Sequence, residues 1–189
     1  MTALVLIRHS TPVADPRVSA TAWGLGLDGE RAARELSDQL AAFRPAAIHT
    51  SPERKARETA AIIATRLGTS ILQDEAFEEH RRSNIAFLPQ PEFEDGICRM
   101  LRSPSELVFG EESADAVFVR FRDALDRARR ALANSDLIVV SHGTAISIYI
   151  GRVVGIDAWA FWHRLTTPMA VILSDGGMRV LALASARTR

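Results

Sequence analysis

Leu4-Val5-Leu6-Ile7-Arg8-His9-Ser10 opens the chain with an apolar run that stops abruptly at two basic side chains and a small one. A continuous run of this kind reads as a strand covered on both faces, as in parallel sheets packed between helices. In open sheets of that type ligands gather beyond the carboxyl ends of the strands, so Arg8 and His9 are expected to meet a bound molecule. Successive strand side chains point to opposite faces, and the turn at Ser10 therefore has to bring both into one site. A second run, Leu137-Ile138-Val139-Val140-Ser141-His142-Gly143, ends the same way. One Arg-His pair alone would read as a surface strand end. Two distant strands that both close in a histidine point to a shared pocket.

Around these two strands the period of the sequence switches repeatedly. Asp28 is placed to cap a helix in which Ala32, Ala33, Leu36, Leu40 and Phe43 recur at helical spacing until Pro45 stops it. Ala46 to Ser51 reads as a second strand. Pro52 then suits a helix's first turn with Ser51 as cap, and Ala56, Thr59, Ala60, Ile63 and Leu67 form the inward stripe up to Gly68. Ser70 to Gln73 is a third, weaker strand. Helices are expected over Phe93 to Leu101, over Ala114 to Ala133 with Val117, Phe121, Leu125 and Leu132 inward and several arginines outward, over Gly143 to Val154, and over Asp157 to His163. Met169 to Leu173 and Met178 to Ala184, joined by Ser174-Asp175-Gly176-Gly177, make a closing β-hairpin. Thr11 to Gly26 and Asp74 to Pro91 lack a period and read as loops over the active face. The alternation predicts one α/β domain over residues 1–189, a three-layer α/β/α arrangement whose mainly parallel sheet has an antiparallel edge.

With 47% apolar and 24% charged residues among 189, the chain has the composition of an ordinary globular protein with a real core. Its 23 acidic and 23 basic residues cancel, so no global field favours nucleic acid or membrane as a partner. No window approaches the roughly 20 apolar residues that span a bilayer. The single cysteine, Cys98, and the lack of a leader-like start make a reducing, cytoplasmic location the expectation. Lys55 is the only lysine, every other basic residue being arginine.

Two histidines with an adjacent arginine suit phosphoryl chemistry. Guanidinium forks match phosphate oxygens, and a neutral imidazole can take the phosphorus covalently. Nearby cations would hold that imidazole neutral by lowering its pKa. No His-x-x-x-His or comparable ligand spacing supports a metal site, and no cofactor is expected.

At three spaced points the chain resembles the histidine phosphatase superfamily, the phosphoglycerate mutase-like proteins. Arg8-His9-Ser10 sits where the family has Arg-His-Gly. Ser51-Pro52-Glu53-Arg54-Lys55-Ala56-Arg57-Glu58-Thr59-Ala60 is similar to its Ser-x-x-x-Arg-Ala-x-x-Thr-Ala helix, and Ser141-His142-Gly143 to its second histidine motif. The resemblance implies that His9 becomes phosphohistidine and that Arg8 and His142 belong to the phosphate pocket. It also implies a carboxylate proton donor in a Leu-x-Glu pattern, which Phe77-Glu78-Glu79 matches at Glu79, with Glu78 as the fallback. Such an acid needs a raised pKa, which neighbouring carboxylates would supply. There are two departures from the family pattern. Lys55 stands where the family's pocket arginine belongs, giving a point charge for a two-pronged fork. Ser10 replaces glycine and adds a hydroxyl that could donate to phosphate. The expected activity is metal-independent hydrolysis of a small phosphomonoester, with a non-catalytic phospholigand binder as the alternative. A mutase is less expected, because the chain lacks an obvious long insertion. His49 reads as a local histidine and the tryptophans as packing, while His80, next to Glu79, is a less favoured candidate for the entrance. The apolar run Ile85-Ala86-Phe87-Leu88 is a candidate subunit contact for a homodimer.

Overall fold

The opening apolar run becomes β1 (Leu4–Arg8), an inner strand of one sheet. The structure, a computed structural model, describes residues 2–131, 135–174 and 176–182. The other strands are β2 (Pro45–Thr50), β3 (Ser70–Gln73), β4 (Asp136–Ser141), β5 (Met169–Ser174) and β6 (Gly177–Ala182), in the sheet order β3-β2-β4-β1-β5-β6. The first four neighbours in that order run parallel, while β5 and β6 form the expected antiparallel edge. The helices are α1 (Leu27–Gln39), α2 (Arg54–Leu67), α3 (Gln90–Arg102), α4 (Ala114–Ala131), α5 (Gly143–Ile150) and α6 (Ala158–Arg164). This is the α/β architecture the sequence predicts.

Alternation along the strands divides the core into two layers. Val5, Ile7, Ile138 and Val140 pack with Leu36 of α1, with Leu40 just past its end and with Ile63 of α2. Leu4, Leu6, Leu137 and Val139 pack on the other face with Phe121 and Leu125 of α4, Ile97 of α3 and Ile146 of α5. Both faces of β1 and β4 are therefore buried, which is why Leu4 to Ile7 and Leu137 to Val140 are without a polar residue. Every residue of α5 is buried as well, so this helix lacks the polar stripe of a surface helix.

Some boundaries differ from expectation. Gly26, not Asp28, caps α1, and Asp28 falls in the first turn. Glu53, not Ser51, caps α2, because the backbone stays extended at Glu53 (φ −62°, ψ 138°); Ser51 Oγ instead accepts from Glu53 N at 3.2 Å. α5 ends at Ile150 and gives way to a π-helical turn, Gly151–Gly155, closed by Gly155 at φ 75°. The expected inward Leu132, the end of that helix at Ala133, the turn residue Asp175 and the strand end at Ala184 lie outside the described residues. Ile85 and Leu88 pack against the core, while Phe87 stays 67% exposed.

Candidate active site

β1 and β4 lie side by side in parallel with Arg8 opposite Ser141, so the residues that follow each strand emerge at one level. The chain then leaves β1 toward α1 on one face and leaves β4 toward α5 on the other. Neighbouring strands that send their connections to opposite faces open a crevice at their carboxyl ends. The rings of His9 and His142 meet in that crevice, with centroids 5.1 Å apart and planes at 61°. His9 N also donates to Ser141 O at 3.0 Å, which ties the two strand ends together.

His9 is buried, and its Nδ1 lies 2.8 Å from Ser10 O. A carbonyl only accepts, so Nδ1 carries the proton and Nε2 keeps a free lone pair. Burial, then the His142 ring, and further Lys55 and Arg8, push the His9 pKa well below its ordinary value and keep the ring neutral. Arg8 donates from Nη1 to Leu165 O at 2.6 Å, which aims the guanidinium, and its buried Nε has no protein partner. Gly143 leaves room for this: a Cβ there would stand 3.1 Å from Arg8 Nε. Ser10 departs from expectation. Its hydroxyl donates to Gly29 O at 2.6 Å and its N–H to Thr59 Oγ1 at 3.0 Å, so the side chain holds the turn against α1 and does not offer its proton to a ligand. Gly29 permits that approach, since a Cβ would lie 2.2 Å from Thr11 O.

His142 is fully buried and caps α5 by position. Its Nε2 is 2.8 Å from Ser51 Oγ and 3.2 Å from Glu53 Oε1, and its Nδ1 is a second buried atom without a partner. Burial pushes its pKa down to about 3, Glu79 opposing and the Lys55, Arg82 and Arg120 cations assisting. The free N–H groups that open α5 are taken by Glu79: Oε2 accepts from Thr144 N at 3.1 Å and Oε1 from Ala145 N at 3.0 Å, with His80 N adding 2.9 Å. Glu79 thus acts as a remote helix cap. This reverses the expected direction of its pKa. Burial alone would raise it, but the Arg82 guanidinium 3.9 Å away, His142 and the backbone N–H groups outweigh burial and hold the carboxyl below the usual carboxylate range. The neighbouring acids do not counter this, because Glu78 turns outward toward Arg81.

Lys55 points inward, whereas Arg54 and Arg57 beside it are exposed, as the helical rotation of about 100° per residue requires. Its ammonium pairs with Glu53 Oε2 and donates to Ala20 O at 2.8 Å, anchoring the loop of residues 11–26. Glu58 holds the same loop through Leu25 N at 2.6 Å.

Four residues take part in the site in ways the sequence does not indicate. Glu53, inside the quoted helix motif, is one. Arg82 lies beside Glu79 and 5.0 Å over the Phe93 ring. Arg120, on the face expected to point outward, donates to the carbonyls of Ala76, Glu78 and Glu79 and pairs with Glu112. Ser51 was expected only to cap a helix. His80 does not line the entrance: it is 2% exposed, stacked on Phe109, with Nε2 2.8 Å from Glu112 O. His49 sits edge-on to Phe77 and Trp23 Nε1 donates to Asp15 O, both local roles. Among the described residues no three His, Cys, Asp or Glu side chains are grouped as metal ligands, and no helix is long and apolar enough to cross a membrane.

Comparison with known proteins bears on the family and the fold. Over 162 residues the chain is 28% identical to an uncharacterized phosphatase, PhoE, of Bacillus subtilis (strain 168), covering 83% of this chain and 80% of that one. Over 137 residues it is 30% identical to a protein named as a probable phosphoglycerate mutase, GpmB, of Photorhabdus laumondii, covering 70% of this chain and 64% of that one. Among solved structures, a phosphoserine phosphatase of Entamoeba histolytica with phosphoserine superimposes at a TM-score of 0.74 with 19% identity, covering 96% of both chains. A mycobacterial glucosyl-3-phosphoglycerate phosphatase does so at 0.71 with 17% identity, covering 95% of this chain and 96% of that one. The model of the histidine phosphatase superfamily (branch 1) matches residues 4–184, and the chain therefore belongs to that superfamily.

Proposed function

We propose that the chain is a metal-independent phosphomonoesterase that works through a phosphohistidine at His9. The observation that carries this reading is the convergence of the two neutral imidazoles at the crevice, beside two buried polar atoms, Arg8 Nε and His142 Nδ1, that lack a protein partner. Buried polar groups without partners are costly, and a tetrahedral anion would satisfy both. His9 Nε2, its lone pair free, attacks phosphorus in line while Arg8, His142 and Lys55 hold the equatorial oxygens. Glu79 gives a proton to the leaving oxygen and, in the second half, takes one from the water that cleaves the phosphohistidine. Its low proton affinity belongs to the unliganded pocket. A phosphoryl group carries negative charge to within reach of this carboxylate and raises its pKa, so the site becomes an acid when substrate enters. The substrate is expected to be a small phosphorylated molecule, bound between the loops of residues 11–26 and 74–89.

Acid-labile trapping of phosphoprotein from a labelled phosphomonoester tests the reading. Label is expected on the wild-type chain, unaffected by exhaustive chelation, and lost in His9→Ala. A chain that retains ligand but never labels is the phospholigand binder, and label that survives in His9→Ala removes the proposal.

A further inference from the structure

The proposed reaction needs cations around a phosphoryl group, yet a buried carboxylate stands among them. Glu53 is 7% exposed. One oxygen, Oε2, pairs with Lys55 Nζ; the other, Oε1, accepts from Glu79 N at 3.0 Å and lies 3.2 Å from His142 Nε2. An ammonium has three N–H donors. With Glu53 and Ala20 O as acceptors, two of those on Lys55 are engaged inside the protein and one is left for a ligand.

From this juxtaposition we infer that Glu53 competes with the bound phosphoryl group for Lys55, and so determines how tightly the site holds phosphate. The inference rests on the pocket being the phosphoryl site proposed above. A dianion that approaches Lys55 also approaches the carboxylate paired with it, and in a buried site that repulsion is weakly screened. The arrangement has a use. A lysine stem is flexible and offers no fork, so a carboxylate and a carbonyl are needed to place its charge where an arginine would place its own. The charge of Lys55 acts on both His9 and His142, so fixing it fixes the field on both rings. The consequence is a pocket that lets go of inorganic phosphate after the phosphohistidine is hydrolysed.

Calorimetric titration of the full chain with inorganic phosphate at neutral pH tests this in four proteins: wild type, Glu53→Gln, Lys55→Gln and the double variant. Glutamine keeps an oxygen for Glu79 N but removes the charge. Glu53→Gln is expected to bind phosphate at least about tenfold more tightly, and in the Lys55→Gln background the same substitution should change binding by less than about threefold. Equal or weaker binding in Glu53→Gln overturns competition in favour of a purely orienting carboxylate. Equal tightening in both backgrounds shows that Glu53 acts by general repulsion and not through Lys55. Thermal melting checks that each variant folds, and Glu53→Met, expected to shift affinity in the same direction, replaces a variant that does not. If the wild-type chain neither binds phosphate nor labels, both the proposed function and this inference fall. If wild type binds and Glu53→Gln does not tighten, only the inference falls.

Discussion

Two carboxylates flank the same crevice, and they are held in opposite ways. Glu79 is gripped by backbone: three N–H groups, two of them from the first turn of α5, accept no substitute geometry. Glu53 sits at the start of α2 without capping its backbone N–H groups; a single backbone N–H, that of Glu79, reaches it, and its charge faces the Lys55 and His142 side chains. A group fixed by backbone keeps its place when neighbouring side chains change, which suits a proton carrier that must stay within reach of one oxygen. A group fixed mainly by other side chains can have its interactions redistributed when a ligand arrives, which suits control of affinity. The difference matches the division proposed for the two residues, chemistry for Glu79 and binding for Glu53.

Substitution can break that separation. The largest effect is expected from Glu79→Gln, which keeps one of the two oxygens that accept backbone N–H groups, sets an NH2 in place of the other, and cannot cycle a proton. A fall in kcat of roughly 10²–10⁴-fold is expected with alkyl phosphates, and a much smaller one with 4-nitrophenyl phosphate, whose leaving group needs little protonation. Comparable losses with both substrates would mean that Glu79 only caps α5. Next comes Arg120→Met, which acts on the backbone that presents Glu79. Arg120 and Glu112 are paired with side chains 14% and 10% exposed, and the guanidinium also holds three carbonyls. Removing one partner of a buried pair costs about 3–5 kcal/mol, measurable by urea denaturation. A double variant, Arg120→Met with Glu112→Gln, should recover part of the loss. Full stability in the single variant would show that the clamp does not hold the Glu79 segment.

Much of this was legible in the sequence, and the parts that were not share a cause. The strand ends could be read because an apolar run that stops at charged residues reports its own burial and direction. The inward direction of Lys55 follows from the resemblance, which sets it at the family's pocket arginine, and helical rotation turns Arg54 and Arg57 away from that direction. Glu53 could not be read in this way. Residues two apart on a helix do not face each other, so a Glu53–Lys55 pair is excluded by the helical rule, and it forms only because Glu53 is the cap with an extended backbone. Arg82 and Arg120 reach Glu79 through contacts that no local period encodes. The direction of the Glu79 pKa is hidden for the same reason: acids near it in sequence say nothing of where Glu78 points or of the N–H groups supplied by α5. The Ser10 hydroxyl by itself suggests a ligand contact, whereas the partner that decides its role is the carbonyl of Gly29.

The smallest effect concerns acid stability, and it separates the histidines from Glu79. The folded pKa of His142 is about 3, below the ordinary 6.5, so as pH falls through 6.5 the unfolded chain binds a proton that the folded chain refuses. Stability therefore declines with falling pH, by up to about 1.4 kcal/mol per pH unit for one such proton. His9, and by smaller margins His49 and His80, shift in the same direction and add to the slope. Glu79 starts to contribute only near its ordinary 4.5, because its folded value is lowered from there: the stabilisation of its ionised form is present above that pH and is lost below it. Urea midpoints between pH 7 and 4 should show a shallower decline in His142→Gln, by as much as one proton's worth between pH 6.5 and 4.5. Glu79→Gln should leave the slope above pH 5 close to that of wild type and flatten it only below. An unchanged slope in His142→Gln would mean that the ring already shares a proton with Glu53 in the folded chain, and the clean division between a binding carboxylate and a chemical one would then fail at the 3.2 Å contact between His142 Nε2 and Glu53 Oε1.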